Sequence, residues 1–302
     1  MFTMWQFVHF SDPHLSSKRD GVWNNRFLCT MMPGVMKCLR RDLAEIQPDF
    51  LLVTGDICSR QTRAAMLAAR DELEKLGFPY YPMGGNHDFV LPDSRAWFLE
   101  AFEHRLPDTN TFYTFTHRNL RFCVLDAWWR WPDGTLRPTA PKAAVGTMDD
   151  DLKGLYWALP PEQLVWLEDV LKARQDLPVI VALHYPALPI PQRLRHPGLR
   201  DGGHLDNGNL LMDLLERFPR VKAVLSGHVH VNFIERGGPV VQICTGALPE
   251  YPTEFRVFSV HDDRIEIATR GLSDPSFAAR SLIEGHGYTS GCPEDRESVI
   301  PL

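Results

Sequence analysis

Asp49–Asp56 reads DFLLVTGD, an apolar run of strand length that stops at a glycine and a carboxylate. A short apolar run closed by a turn signal marks a buried strand. The same phrase stands on either side of it. Trp5–Phe10 (WQFVHF) ends at Ser11-Asp12-Pro13-His14, and Phe78–Tyr81 runs into Gly84-Gly85-Asn86-His87-Asp88. Helical patterns separate the three. Pro33-Gly34 opens the first, whose Val35, Leu39, Leu43 and Ile46 recur at helical spacing. The second covers about Thr62–Leu76 and is capped by Gly77. Strand–helix units in succession predict a parallel sheet joined by right-handed crossovers.

A helix near Asp93–His104 closes this series. Thr111–Thr116 and Arg121–Leu125 then predict an antiparallel pair around Arg118-Asn119. A helix at Pro161–Lys172 precedes the strand Val179–Leu183, which ends at His184-Tyr185-Pro186. Another, about Asn209–Phe218, precedes Val221–Leu225, which ends at Gly227-His228-Val229-His230. Val231–Thr269 reads as short strands with Gly-Gly and Asp-Asp turns. Two stretches stand apart: Trp128–Lys153, rich in Trp, Pro and Gly, and Gly271–Leu302, polar and without periodicity. Loops this long are functional insertions, oligomer contacts or disordered segments.

Composition bounds the answer. The 302 residues are 44% hydrophobic and 23% charged, which excludes disordered, collagen-like and coiled-coil classes. No apolar run approaches the ~18 residues of a membrane span. The net charge of −6 disfavours a nucleic-acid partner. Six scattered cysteines without a CxxC pair read as free thiols, and Met1–Phe10 lacks the marks of a secretory signal. The expectation is a cytoplasmic protein.

Position carries the functional reading. Five strands are each followed by residues that bind metals: Asp12 and His14, Asp56, Asn86 and His87, His184, and His228 and His230. Ligands of open α/β sheets bind outside the carboxyl ends of the strands, so these loops should converge. A set mixing carboxylates, imidazoles and an amide oxygen suits Mn, Fe, Zn or Co better than Ca or Mg.

The series DPH…GD…GGNHD…H…GHVH, spanning residues 11–230, resembles the calcineurin-like metallophosphoesterase superfamily. Leu125-Asp126-Ala127 after the antiparallel pair, followed by Gln163–Leu171 (QLVWLEDVL), resembles its class III cyclic-nucleotide phosphodiesterase and glycerophosphodiesterase branch. The resemblance implies a four-layer α/β/β/α sandwich of two mixed sheets over residues 1–270. That leaves an insertion at about 128–153 and a C-terminal tail at 271–302. It implies two divalent transition-metal ions. Asp12, His14 and His230 would hold one, Asn86, His184 and His228 the other, and Asp56 would bridge them. His87 would face the substrate as the catalytic proton donor. The implied reaction is hydrolysis of a small phosphodiester (a cyclic nucleotide, glycerophosphodiester or related nucleotide) by a hydroxide shared between the ions. The alternatives are a phosphomonoesterase or protein phosphatase, and an inactive binding scaffold on the same fold. Two positions depart from the family pattern: Pro13 between two ligands, and Tyr185 where related diesterases often carry histidine.

Other residues carry weaker readings. Arg193 and Arg195, with His196, Arg200 and His204, form either a solvated basic loop or contacts to substrate phosphate. Trp128, Trp129 and Trp131 could stack on a base, cover the core or form a contact in a homo-oligomer. His9 reads as a core histidine and Asp126 as a turn or cap residue. Asp88 reads either as a support for the metal loop or as a plain turn residue.

Overall fold

The computed structural model describes residues 4–59, 62–141, 155–236 and 238–302. In one six-stranded sheet, Trp5–Phe10, Phe50–Thr54 and Tyr80–Met83 run parallel, as the strand–helix units require. Trp5–Phe10 also pairs antiparallel with Glu254–Val260. Arg264–Gly271 and the edge strand Glu297–Pro301 extend that side. In the second sheet Leu120–Val124, Val179–Ala182, Val221–Ser226 and Val241–Cys244 are parallel. Tyr113–His117 and Phe233–Glu235 flank them antiparallel. Both sheets are therefore mixed.

The two-residue period of a strand sorts side chains between layers. Phe50 and Leu52 join Phe7, Phe122 and Leu225 between the sheets. Leu51 and Val53 instead pack with Val35 and Leu39 of the helix Met32–Ile46 and with Met66 of the helix Arg63–Glu74. On the other side, Ile180 and Ala182 point between the sheets. Val179 and Val181 pack with Leu167 of the helix Pro161–Ala173 and Leu211 of the helix Gly208–Glu216. The order is helix, sheet, sheet, helix, the expected four-layer α/β/β/α sandwich. Coverage on both faces explains why the inner strands are apolar throughout and do not alternate.

The third strand begins two residues later than expected and carries Pro82 within it. It is an edge strand, where the missing proline N–H costs no ladder bond. The C-terminal stretch, polar and aperiodic in sequence, holds the short helix Ser276–Ser281 and the edge strand Glu297–Pro301. Its polar residues are internal ties. Asp295, wholly buried, accepts from the N–H groups of Ile234 and Cys292 and from Arg193. Among the described residues no helix is long and apolar enough to cross a membrane. Among the described residues no cysteine forms a disulfide, and five of the six are buried.

The tryptophan-rich insertion builds a small antiparallel sheet: Trp128–Arg130 lies between Leu136–Arg137 and Tyr156–Ala158. The rest of the expected insertion, residues 142–153, lies outside the described residues. Trp129 is a core residue, correcting its reading as a stacking surface. It is 1% exposed, donates its indole N–H to the Phe89 carbonyl at 2.7 Å, and packs on Trp157. Trp129→Ala should therefore cost ~3–5 kcal/mol of folding stability. The check is the denaturant midpoint at constant slope; a cost under about 1 kcal/mol would contradict the packing.

Candidate metal centre

The parallel strands of each sheet deliver their loops to one edge, and backbone hydrogen bonds tie those loops together. Asp12 N–H donates to Gly55 O (3.2 Å), His14 N–H to Asp56 O (2.9 Å) and Gly227 N–H to His184 O (2.9 Å). Glycine permits the closest approaches. A Cβ at Gly227 would lie 1.7 Å from Ser11 Oγ, and one at Gly85 would lie 2.2 Å from Asp56 Oδ1. The loops also bend sharply: Asp12, His14, Asp56, His228 and His230 all have φ between 44° and 69°. Side chains rarely adopt this left-handed region, and it clusters where function over-determines the backbone.

Three groups of side chains bring potential ligand atoms within 4.8 Å of one another: Asp12/His14/His230, His14/Asp56/His87 and Asp56/His184/His228. The predicted residues thus come together in one buried cluster. Hydrogen bonds decide which atom of each faces inward. Asp12 Oδ2 accepts from Ser11 Oγ (2.5 Å) and His228 N–H (3.0 Å), leaving Oδ1 toward His230 Nε2 at 3.3 Å. His14 spends Nδ1 on Ser59 Oγ (2.7 Å) and His184 spends Nδ1 on Thr54 O (2.8 Å), so each turns Nε2 inward. His228 is reversed. Its Nε2 meets Gly202 O at 2.8 Å, and Nδ1 faces His184 Nε2 at 3.2 Å. Asn86 Oδ1 lies 3.2 Å from the same His184 nitrogen.

Asp56 sits between the groups. The His87 N–H donates to its Oδ1 at 2.9 Å. Oδ2 faces His184 Nε2 (3.4 Å), His14 Nε2 (3.7 Å) and His87 Nε2 (3.9 Å). One oxygen, not two, therefore addresses both sides of the site.

The electrostatics ask for cations. Burial pushes the Asp12 carboxyl up, but the imidazoles of His184 and His230 hold it down at about 2. Asp56 is likewise held well below the usual range, burial being outweighed by His184 and His87. Burial alone would make His184 neutral, yet Asp56 and Asp12 raise it to about 9. Among the described residues, histidines are the ion-pair partners of Asp12 and Asp56. Asp12 Oδ1 and His14 Nε2 are buried yet accept or donate no hydrogen bond. Orphaned buried lone pairs are costly, and a divalent cation would satisfy both at once. The donor set fits divalent metal.

The sequence matches the family model Calcineurin-like phosphoesterase over residues 6–232. The chain belongs to that family. Among curated relatives of this phosphoesterase, a probable cyclic nucleotide phosphodiesterase of Synechococcus is 28% identical over 77% of each chain. A 3′,5′-cyclic adenosine monophosphate phosphodiesterase of Pseudomonas aeruginosa is 25% identical over 89% of this chain and 91% of the relative. A glycerophosphodiester phosphodiesterase of Enterobacter lignolyticus is 26% identical over 74% of this chain and 70% of its own. A dimetal phosphatase from Danio rerio superposes with a TM-score of 0.67 over 88% of this chain and 96% of its own. At 17% identity it is a likeness of fold.

Some of the weaker readings of the phosphoesterase change and others hold. Arg193 binds Glu235, Asp295 and the Ile234 carbonyl, and Arg195 binds Asp201 and the Ile190 carbonyl, so neither guanidinium is held for a phosphate. Asp126 is an ion-pair partner, not a cap: Arg95 grips both its oxygens at 2.8 Å. Asp88 supports the loops, accepting from the N–H groups of Ile57, Cys58 and Gly85. Burial and the Asp56 charge push it up to about 7. His9 is a core histidine between Thr54 and Thr245 hydroxyls. Trp128 is half-buried in the small sheet.

The sequence reading missed the aromatic walls. Trp157 stacks on Tyr185 with ring centroids 4.8 Å apart and meets His228 edge-on. Phe27 lies parallel to His230 at 5.6 Å and meets His14 edge-on. Neither falls in a metal-type motif, so only the fold reveals them.

Proposed function

We propose that this phosphoesterase hydrolyses small phosphodiesters at a centre of two divalent transition metals. Asp12, His14 and His230 would hold one ion, and Asn86, His184 and His228 the other, with Asp56 shared. The observation that carries this reading is Asp56 Oδ2, turned at once toward His14 of one group and His184 of the other. When bound, two such ions lower the pKa of a water and draw charge from phosphoryl oxygens.

The protein's own part follows from its side chains. His87 is 12% exposed against 1% for His14, so its ring borders the open side while its N–H is fixed on Asp56. From there it donates a proton to the departing alkoxide. Phe27 and Trp157, both buried, back His230 and His228 with apolar surface that excludes water from this side of the centre.

Two lines favour a diester. Relatives of both sequence branches are named phosphodiesterases. A monoester dianion asks for donors beyond the metals, and Arg193 and Arg195 are already committed to carboxylates. After reconstitution with Mn, Fe, Zn or Co, kcat/KM should be higher on bis(p-nitrophenyl) phosphate than on p-nitrophenyl phosphate. Monoester preference with every metal would overturn the diesterase assignment.

A further inference from the structure

The outer partners of the four buried histidines of this centre are not alike. Ser59 offers a hydroxyl to His14, Thr54 a carbonyl to His184 and Gly202 a carbonyl to His228. His230 alone is backed by a carboxylate: its Nδ1 lies 2.6 Å from Glu250 Oε2. Glu250 is wholly buried, eighteen residues beyond the end of the family match at 232. Its turn is pinned near the centre. Leu248 N–H donates to Ser11 O, and Ser11 and Ala247 form a β-bridge beside Asp12.

The second oxygen of the same carboxylate has a different task. Glu250 Oε1 accepts from the Asn25 backbone N–H, and Pro249 O accepts from Leu28 N–H at 2.8 Å. Asn25 belongs to the segment that lays Phe27 flat on His230. Its own side chain reaches the C-terminal stretch, donating to Thr289 Oγ1 and His286 O and accepting from Ile283 N–H. One carboxylate thus joins an inward-facing histidine to the aromatic wall above it.

We infer that Glu250 is a positioning residue of this centre, orienting His230 for its metal and holding the Asn25–Phe27 segment over it. The inference rests on the assignment of His230 as a ligand. The physics is direct. A carboxylate on Nδ1 fixes the proton there, presents the Nε2 lone pair inward and raises its basicity. Removing that negative charge weakens the ligand without removing it.

The test is calorimetric titration of the metal-free full chain with Mn2+, comparing wild type, Glu250→Gln, Glu250→Asp and Glu254→Gln. Glu254 is a second buried carboxylate, bound to Arg296 and Asn232, and serves as the control for a structural role alone. Glu250→Gln should retain the wild-type stoichiometry but bind one ion ~10–100-fold more weakly, the other being unchanged. Glu250→Asp, which keeps the charge, should recover part of that affinity and covers the case of a poorly folded Gln variant. Glu254→Gln should lose thermal stability and keep wild-type affinities. Unchanged affinities in both Glu250 variants would overturn the inference, as would equal losses in Glu254→Gln. The wild-type stoichiometry separately tests the two-metal reading. If wild type took one ion that Glu250→Gln weakened, that reading would fall and the role of Glu250 would stand. A wild type that took none would sink both.

Discussion

Asp56→Asn should lose both tightly bound ions and about two to four orders of magnitude in kcat. The substitution keeps the size of the side chain and the acceptor for the His87 N–H, so the loop has no steric reason to move. What disappears is the negative charge on Oδ2, the atom that faces His14, His184 and His87 together. Breaking a buried charge arrangement by removing one partner costs ~3–5 kcal/mol, about 10²–10⁴ in an equilibrium or a rate. Because that atom serves both groups, the loss falls on both ions at once. Metal analysis after gel filtration gives the stoichiometry, and steady-state assays on a diester give the rate. A variant with two ions per chain and wild-type turnover would contradict the whole arrangement.

His87→Ala should separate chemistry from metal binding. His87 is the most exposed of the clustered imidazoles, and its neighbour Asn86 faces His184 in the interior. Both ions should therefore remain. Positioned proton donation is worth ~10²–10⁴ for a leaving group that needs the proton. Alkyl esters should accordingly slow by that amount, and nitrophenyl esters, whose leaving group departs as an anion, by less than about tenfold. Equal slowing of the two classes would exclude His87 as the proton donor, and loss of an ion would make it a ligand.

The legible parts of this chain are those in which local chemistry and tertiary position agree. DFLLVTGD and its two companions disclosed strand, turn and inward-facing side chain together, because a buried strand end is also where ligands collect. The walls and outer partners were not legible. Glu250 follows a strand of the same sheet as His230 but sits in no motif, and its role depends on a contact across twenty residues. The C-terminal stretch was opaque for a related reason. Ser281, Thr289 and Asp295 are wholly buried, so polarity that reads as solvent exposure is spent on internal hydrogen bonds. Arg193 failed in the opposite way. A basic residue near a phosphate site looks available until its three partners are seen.

The left-handed backbone at Asp12, His14, Asp56, His228 and His230 sets fold and site in competition. Each such residue costs on the order of 1 kcal/mol relative to a relaxed conformation, and glycine would adopt the same bend freely. The five substitutions that would most ease these turns are therefore ones that each remove one of the seven proposed donors. Thermal selection or consensus engineering applied to the ion-free chain would reward a quieter, sturdier and inert protein. A stabilisation campaign on this scaffold has to be run with metal present and turnover as the readout.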